Sequence, residues 1–86
     1  MKCPVCQNET FDEKDYEYQI CEECFWEYDL LQLKNPNLSG GANKQSLNEY
    51  KKTYYYLKQK NPNFSCKNTK DRELLIKICN DMKYKL

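Results

Sequence analysis

Cys3-Pro4-Val5-Cys6 and Cys21-Glu22-Glu23-Cys24 decide how this chain is read. Two C-x-x-C pairs separated by 14 residues supply four thiols, and the 86 residues include no histidine that could share in ligation. Four cysteines so spaced are the donor set of a closed, tetrahedral metal site, which contributes folding energy and keeps no open coordination position for chemistry. The metal expected is one structural Zn2+ held by Cys3, Cys6, Cys21 and Cys24. A four-thiolate iron site and a redox dithiol are the alternatives. The dithiol lacks its usual setting, because only Met1 and Lys2 precede the first pair where a buried strand would be needed.

Size points the same way. A domain of this length buries only about 60–65 % of its unfolded surface, so its core is marginal without a staple. Mean hydropathy is −1.05, and twelve of the apolar residues are aromatic: eight Tyr, three Phe and one Trp. No signal peptide and no apolar run of membrane-spanning length is visible. A cytoplasmic location follows as the expectation, where C-x-x-C pairs more often ligate metal than form disulfides.

A net charge of +1 conceals a division. Residues 1–30 carry nine acids against Lys2 and Lys14, net −7, and residues 31–86 carry twelve bases against four acids, net +8. Such asymmetry speaks to partners rather than to fold.

Outward from the cysteines, Tyr16, Tyr18 and Ile20 alternate with polar residues as a strand would. Residues 9–11 are a plausible partner strand, with Asp12 to Asp15 as the turn. After Cys24 the period becomes helical: Trp26, Leu30 and Leu33 predict a helix over 24–34, stopped at Asn35-Pro36. Ser46 and Glu49 form a capping box for a helix over 46–60, with Leu47, Tyr50, Tyr54 and Leu57 inward. A last helix over 70–83, capped by Asn68 or Thr69, turns Leu74, Leu75, Ile78, Cys79 and Met82 to one face. The expected fold is therefore α+β: a single domain over 1–86 with a zinc-ribbon β-hairpin at 1–24 packed against about three helices.

These residues resemble the bacterial cysteine-rich CPCC family. The likeness lies in Cys3-Pro4-x-Cys6, in Ile20-Cys21-x-x-Cys24-Phe25-Trp26-Glu27, and in Gly40-Gly41-Ala42-Asn43-x-x-Ser46-Leu47-x-Glu49, together spanning about residues 3–54. Val5 stands where the family carries the cysteine of its name, and Tyr28 where it often carries an acid. The resemblance implies a small zinc-binding domain of bacterial or phage origin and carries no activity with it.

Catalysis finds no support, since a general base would have to be a carboxylate, lysine or cysteine and no pairing stands out. The chain is expected not to be an enzyme. The leading expectation is a protein-interaction module of inhibitor, immunity or adaptor type. Its acidic ribbon, with Glu13, Asp15, Glu22, Glu23 and Tyr28 as contact residues, would face a basic partner protein. The alternative is nucleic-acid binding by the lysine-rich half through Lys51, Lys52, Lys58 and Lys60. One arginine, Arg72, in the whole chain weighs against a sequence reader. Self-association of acidic and basic halves is a third option. Among the other cysteines, Cys79 reads as core, and Cys66, in a polar loop, as an exposed thiol.

Overall fold

The computed structural model describes residues 1–80. Three helices follow an irregular N-terminal segment: α1 (Leu30–Lys34), α2 (Leu47–Lys60) and α3 (Thr69–Asn80). No strand is present among the described residues, so the expected zinc-ribbon hairpin is not formed and the fold is helical rather than α+β. Among the described residues the β-type pairings are two isolated bridges, Lys2↔Glu9 and Ile20↔Glu27. Each lies across one cysteine pair, so the chain closes on itself at each pair instead of running one long ladder between them. Between the pairs the backbone turns repeatedly. The Asp15 amide donates to the Asp12 carbonyl, the Gln19 amide donates to the Tyr16 carbonyl, and Tyr18 sits at φ 62°. That left-handed residue ends any extended run through 16–20.

α1 is shorter than the 24–34 expected. Phe25, at φ 67°, and the Ile20↔Glu27 bridge keep residues 21–28 out of the helix. Asp29 then starts it, its carboxylate accepting from the Leu31 and Gln32 amides. α2 carries its capping box in full, with Ser46 and Glu49 each accepting from the other's backbone N–H. α3 is capped by Asn68, whose side-chain oxygen accepts from the Lys70 and Asp71 amides. α2 and α3 pack together, and Tyr50, Tyr54 and Leu57 of one and Leu75 and Ile78 of the other belong to the same buried core. Leu74, expected in this core, is 45 % exposed, while Met82 lies outside the described residues. No helix among the described residues is long and apolar enough to cross a membrane.

The core runs from the cysteines into the helices: Cys3, Val5, Cys21, Cys24 and Trp26 are fully buried beside Phe11, Tyr28, Tyr50, Tyr54 and Phe64. Trp26 stands edge-on to Tyr50, ring centroids 5.2 Å apart, and joins the cysteine region to α2. A polar cluster secures the loop between α1 and α2. Gln32, wholly buried, donates from Nε2 to the Leu38, Asn43 and Gln45 carbonyls, and its Oε1 accepts from the Asn43 amide and side chain. The second carboxylate oxygen of Asp29 accepts from the Ala42 amide. That bond, with those from Gln32 and Leu31, outweighs burial and holds the Asp29 carboxyl below its ordinary range.

This cluster explains why position 41 is a glycine. A Cβ on Gly41 would lie 2.8 Å from both Asp29 Oδ2 and Gln32 Cδ. Neither can retreat without giving up the bonds just described. Gly41→Ala is therefore expected to lower stability by about 1–3 kcal/mol, the usual cost of overpacking. Chemical denaturation would read this as a lower midpoint with an unchanged slope.

Candidate metal centre

The two cysteine pairs are built alike, residue for residue. In the first, the Cys3 amide donates to the Asn8 carbonyl (2.8 Å) and the Gln7 amide to the Cys3 carbonyl (2.9 Å), with Gln7 at φ 65°. In the second, the Cys21 amide donates to the Trp26 carbonyl (2.8 Å) and the Phe25 amide to the Cys21 carbonyl (2.8 Å), with Phe25 at φ 67°. Lys2↔Glu9 and Ile20↔Glu27 close the two units at matching positions. Each unit is a tight knuckle that points both of its thiols the same way and donates a backbone amide to one sulfur: Val5 N to Cys3 Sγ (3.4 Å), and Cys24 N to Cys21 Sγ (3.5 Å).

Facing each other, the knuckles bring all four Sγ atoms within 4.8 Å of one another. Contacts of 3.5 Å (Cys3 to Cys24) and 3.6 Å (Cys6 to Cys21) run between knuckles. A tetrahedron with metal–sulfur bonds of about 2.3 Å has edges of about 3.8 Å, so the donor set fits one four-coordinate ion. All four are free thiols; Cys3, Cys21 and Cys24 are fully buried and Cys6 partly so. Hydrogen bonds from the Cys24, Cys3 and Cys6 thiols, and from the Thr10 hydroxyl at 3.1 Å, hold the Cys21 thiol far below its usual range. Interaction with Cys21 first, then Cys3 and Cys6, together with burial, pushes Cys24 far above it. Four crowded sulfurs cannot all ionise on their own, and a divalent cation at their centre removes that conflict.

Helix α2 grips both knuckles. The Tyr50 hydroxyl donates to the Cys24 carbonyl at 2.7 Å, and the Tyr55 hydroxyl to the Val5 carbonyl at 3.1 Å. Burial drives the Tyr50 hydroxyl far above the usual tyrosine range, so it remains a donor at any physiological pH. The loop before α3 holds the second knuckle from the other side: the Cys66 amide donates to the Glu23 carbonyl (2.9 Å) and the Ser65 hydroxyl to the Glu23 carboxylate (3.0 Å). The Arg72 guanidinium lies 5.7 Å from the centre of the Phe25 ring. Cys66 is thereby drawn inside, 1 % exposed, and is not the surface thiol the polar loop implies. Burial, aided by the nearby Cys21 and Glu23, pushes its thiol up to about 12. Cys79 is partly buried against the core, its thiol pushed up to about 11 by burial.

The other candidate residues scatter. Glu13 and Asp15 are exposed on the turn between the knuckles. Glu22 pairs with Lys67 at 3.8 Å, and Glu23 is committed to Ser65 and Cys66. Tyr28, read as a contact residue, is instead only 8 % exposed, because its ring packs edge-on between Phe11 and Tyr16. On α2, Lys58 Nζ donates to the Pro62 and Phe64 carbonyls, and Lys60 lies over the Tyr56 ring. At about 100° per residue, Lys51 and Lys58 fall on one flank of the helix, Lys52 faces outward and Lys60 lies on the opposite flank. These four lysines do not converge on one face.

Fold and site together define a small helical protein organised around a buried four-cysteine centre able to hold a metal ion. The chain belongs to the cysteine-rich CPCC family, whose model matches residues 1–72. The match runs beyond the expected 3–54, through the loop that grips the second knuckle and into the start of α3. Val5, in place of the family's name-giving thiol, is fully buried core. No curated protein matches the chain.

Proposed function

We propose that this protein is a small zinc-binding interaction module rather than an enzyme, in which the metal is structural and function resides on the surface it holds rigid. Zinc is favoured by an all-thiolate, tetrahedral donor set. Bound there, the ion would supply cross-linking energy between the two knuckles. With four protein ligands and three of them fully buried, no coordination position is left for substrate. Four cysteines used as metal ligands, with Cys66 and Cys79 outside the cluster, suit a reducing compartment such as a bacterial or phage-infected cytoplasm.

One observation carries the choice of surface. Asp12, Glu13, Asp15 and Glu17 are exposed on the turn between the knuckles, and no ion pair involves them among the described residues. Glu23, by contrast, is bonded to Ser65 and Cys66, and Glu22, though exposed, faces Lys67 at 3.8 Å. The acidic surface of the proposal is thus the 12–17 turn, which suits a basic partner protein and would steer its approach. Reversing Glu13 and Asp15 to lysine is expected to abolish capture of a partner protein from host lysate by the metal-loaded chain. Capture undiminished by the reversal, or replaced by salt-sensitive retention of nucleic acid, would contradict the reading.

A further inference from the structure

Tyr18 has no evident structural reason to be a tyrosine. At φ 62° it occupies a conformation that glycine adopts freely and an aromatic residue only at a cost. Its backbone is nevertheless fixed there, the Tyr18 amide donating to the Tyr28 carbonyl at 2.7 Å and the Tyr28 amide to the Gln19 carbonyl at 2.8 Å. The side chain is 64 % exposed, so burial returns little in exchange. Leu31 is exposed to 60 %, and its position is equally fixed, since its amide is held at 2.8 Å by Asp29. Tyr18 and Leu31 line one groove of about 300 Å3 with Leu30, Glu17, Asp29 and Lys34. That volume lies at the small end of ligand pockets and suits one or two apolar side chains rather than a cofactor.

The charge around the groove selects what could enter. Glu17 forms part of its wall and continues into the turn bearing Asp12, Glu13 and Asp15. With Asp29 counted, five carboxylates stand against Lys14 and Lys34, a net of −3. The Asp29 carboxylate already accepts from the Leu31, Gln32 and Ala42 amides, so the attraction comes from the other four. A groove lined by Tyr18, Leu30 and Leu31 beside Glu17 and continuous with the acidic turn is complementary to an apolar side chain flanked by lysine or arginine.

We infer that the Tyr18–Leu31 groove is the anchor site for a cationic amphipathic segment of a partner protein, with one or two apolar side chains seated between Tyr18 and Leu31 and its basic residues toward Asp12, Glu13, Asp15 and Glu17. The inference rests on the interaction-module reading and adds the anchor to it.

The test uses the full-length, metal-loaded protein and two fluorescein-labelled probes: an amphipathic leucine–lysine peptide, and a serine–lysine peptide of equal length and charge with serine in place of every leucine. Anisotropy titration at low salt is expected to show tighter binding of the leucine–lysine peptide. The double variant Tyr18→Gly, Leu31→Gln should weaken that binding by about tenfold or more, the loss expected when one or two apolar anchors are removed. Binding of the serine–lysine peptide should barely change. Tyr18→Gly alone should keep its metal and melt no lower than the parent, which separates lost binding from lost folding. Equal affinity for both probes, or binding indifferent to the double variant yet abolished by reversal of Glu13 and Asp15, would overturn the anchor while sparing the acidic surface. No binding of either probe would overturn both. A dimer dispersed by the double variant would assign the groove to a second copy of this chain and overturn the inference as well.

Discussion

Cys24→Ser is expected to abolish the cooperative fold at 25 °C, whereas Cys66→Ser, an equally buried change, should only lower its melting temperature. Cys24 is fully buried, its sulfur lies 3.5 Å from Cys3, and its carbonyl takes the Tyr50 hydroxyl. Losing it removes one corner of the tetrahedron and disturbs the point where α2 grips the second knuckle. Structural zinc sites contribute apparent free energies of about 10–16 kcal/mol at neutral pH. Domains as a whole retain only about 5–15 kcal/mol of net stability. Forfeiting even a large fraction of the first exceeds what this short chain can lose. Cys66 lies outside the four-sulfur cluster, so serine there costs only the burial of a hydroxyl, about 1–3 kcal/mol. The fluorescence of Trp26, the sole tryptophan and fully buried, reads the difference directly. A red-shifted, non-cooperative Cys24→Ser beside a cooperative Cys66→Ser is the expected pattern.

Asn43→Ala should be the most damaging change away from the metal centre, costing about 3–5 kcal/mol. Asn43 is buried, and its side chain makes three hydrogen bonds: Oδ1 accepts from the Glu27 amide at 3.0 Å, and Nδ2 donates to the Glu27 carbonyl at 2.8 Å and to Gln32 Oε1 at 3.0 Å. Glu27 closes the second knuckle through its bridge to Ile20, so Asn43 ties that knuckle to the α1–α2 loop. Alanine leaves an amide and a carbonyl of Glu27 unpartnered where water has little access. Asn43→Asp should be no better, since a carboxylate would face the Glu27 carbonyl and Gln32 Oε1 without a proton to offer. Urea denaturation of both variants, followed through Trp26, checks the size of the loss. A cost below about 1 kcal/mol for either would contradict the role assigned to Asn43.

What the sequence reveals of this molecule depends on the range of the interactions involved. The thiol spacing and the Ser46–Glu49 box are local signals, and the four-cysteine cluster and the start of α2 both follow from them. Tyr54 lies inside and Tyr55 and Tyr56 outside, as helical period dictates. The hairpin reading failed because alternation of Tyr16, Tyr18 and Ile20 carries no sign of a left-handed residue in its middle, nor of Ile20 pairing with Glu27 rather than with residues 9–11. Trp26 shares a helical period with Leu30 and Leu33 by coincidence, its burial coming from the knuckle fold. The Asp29–Gln32–Asn43 cluster escaped notice because Gln32 on a helix and Asn43 in a turn look like surface residues until long-range hydrogen bonds bury them. The Gly40-Gly41-Ala42-Asn43 stretch was its only trace, and a glycine pair does not say what approaches it. Cys66 is buried for the same reason, through the bonds of its own amide and the Ser65 hydroxyl to Glu23, far away in sequence.

The central claim is that one ion held by Cys3, Cys6, Cys21 and Cys24 keeps this small core folded. Native mass spectrometry of the purified chain, paired with Trp26 fluorescence before and after a strong chelator, tests it most directly. The account predicts one zinc ion per chain, loss of the buried-tryptophan emission on chelation, and its recovery on adding back one equivalent of zinc. A metal-free chain whose emission and melting temperature do not respond to chelator or to zinc would contradict it.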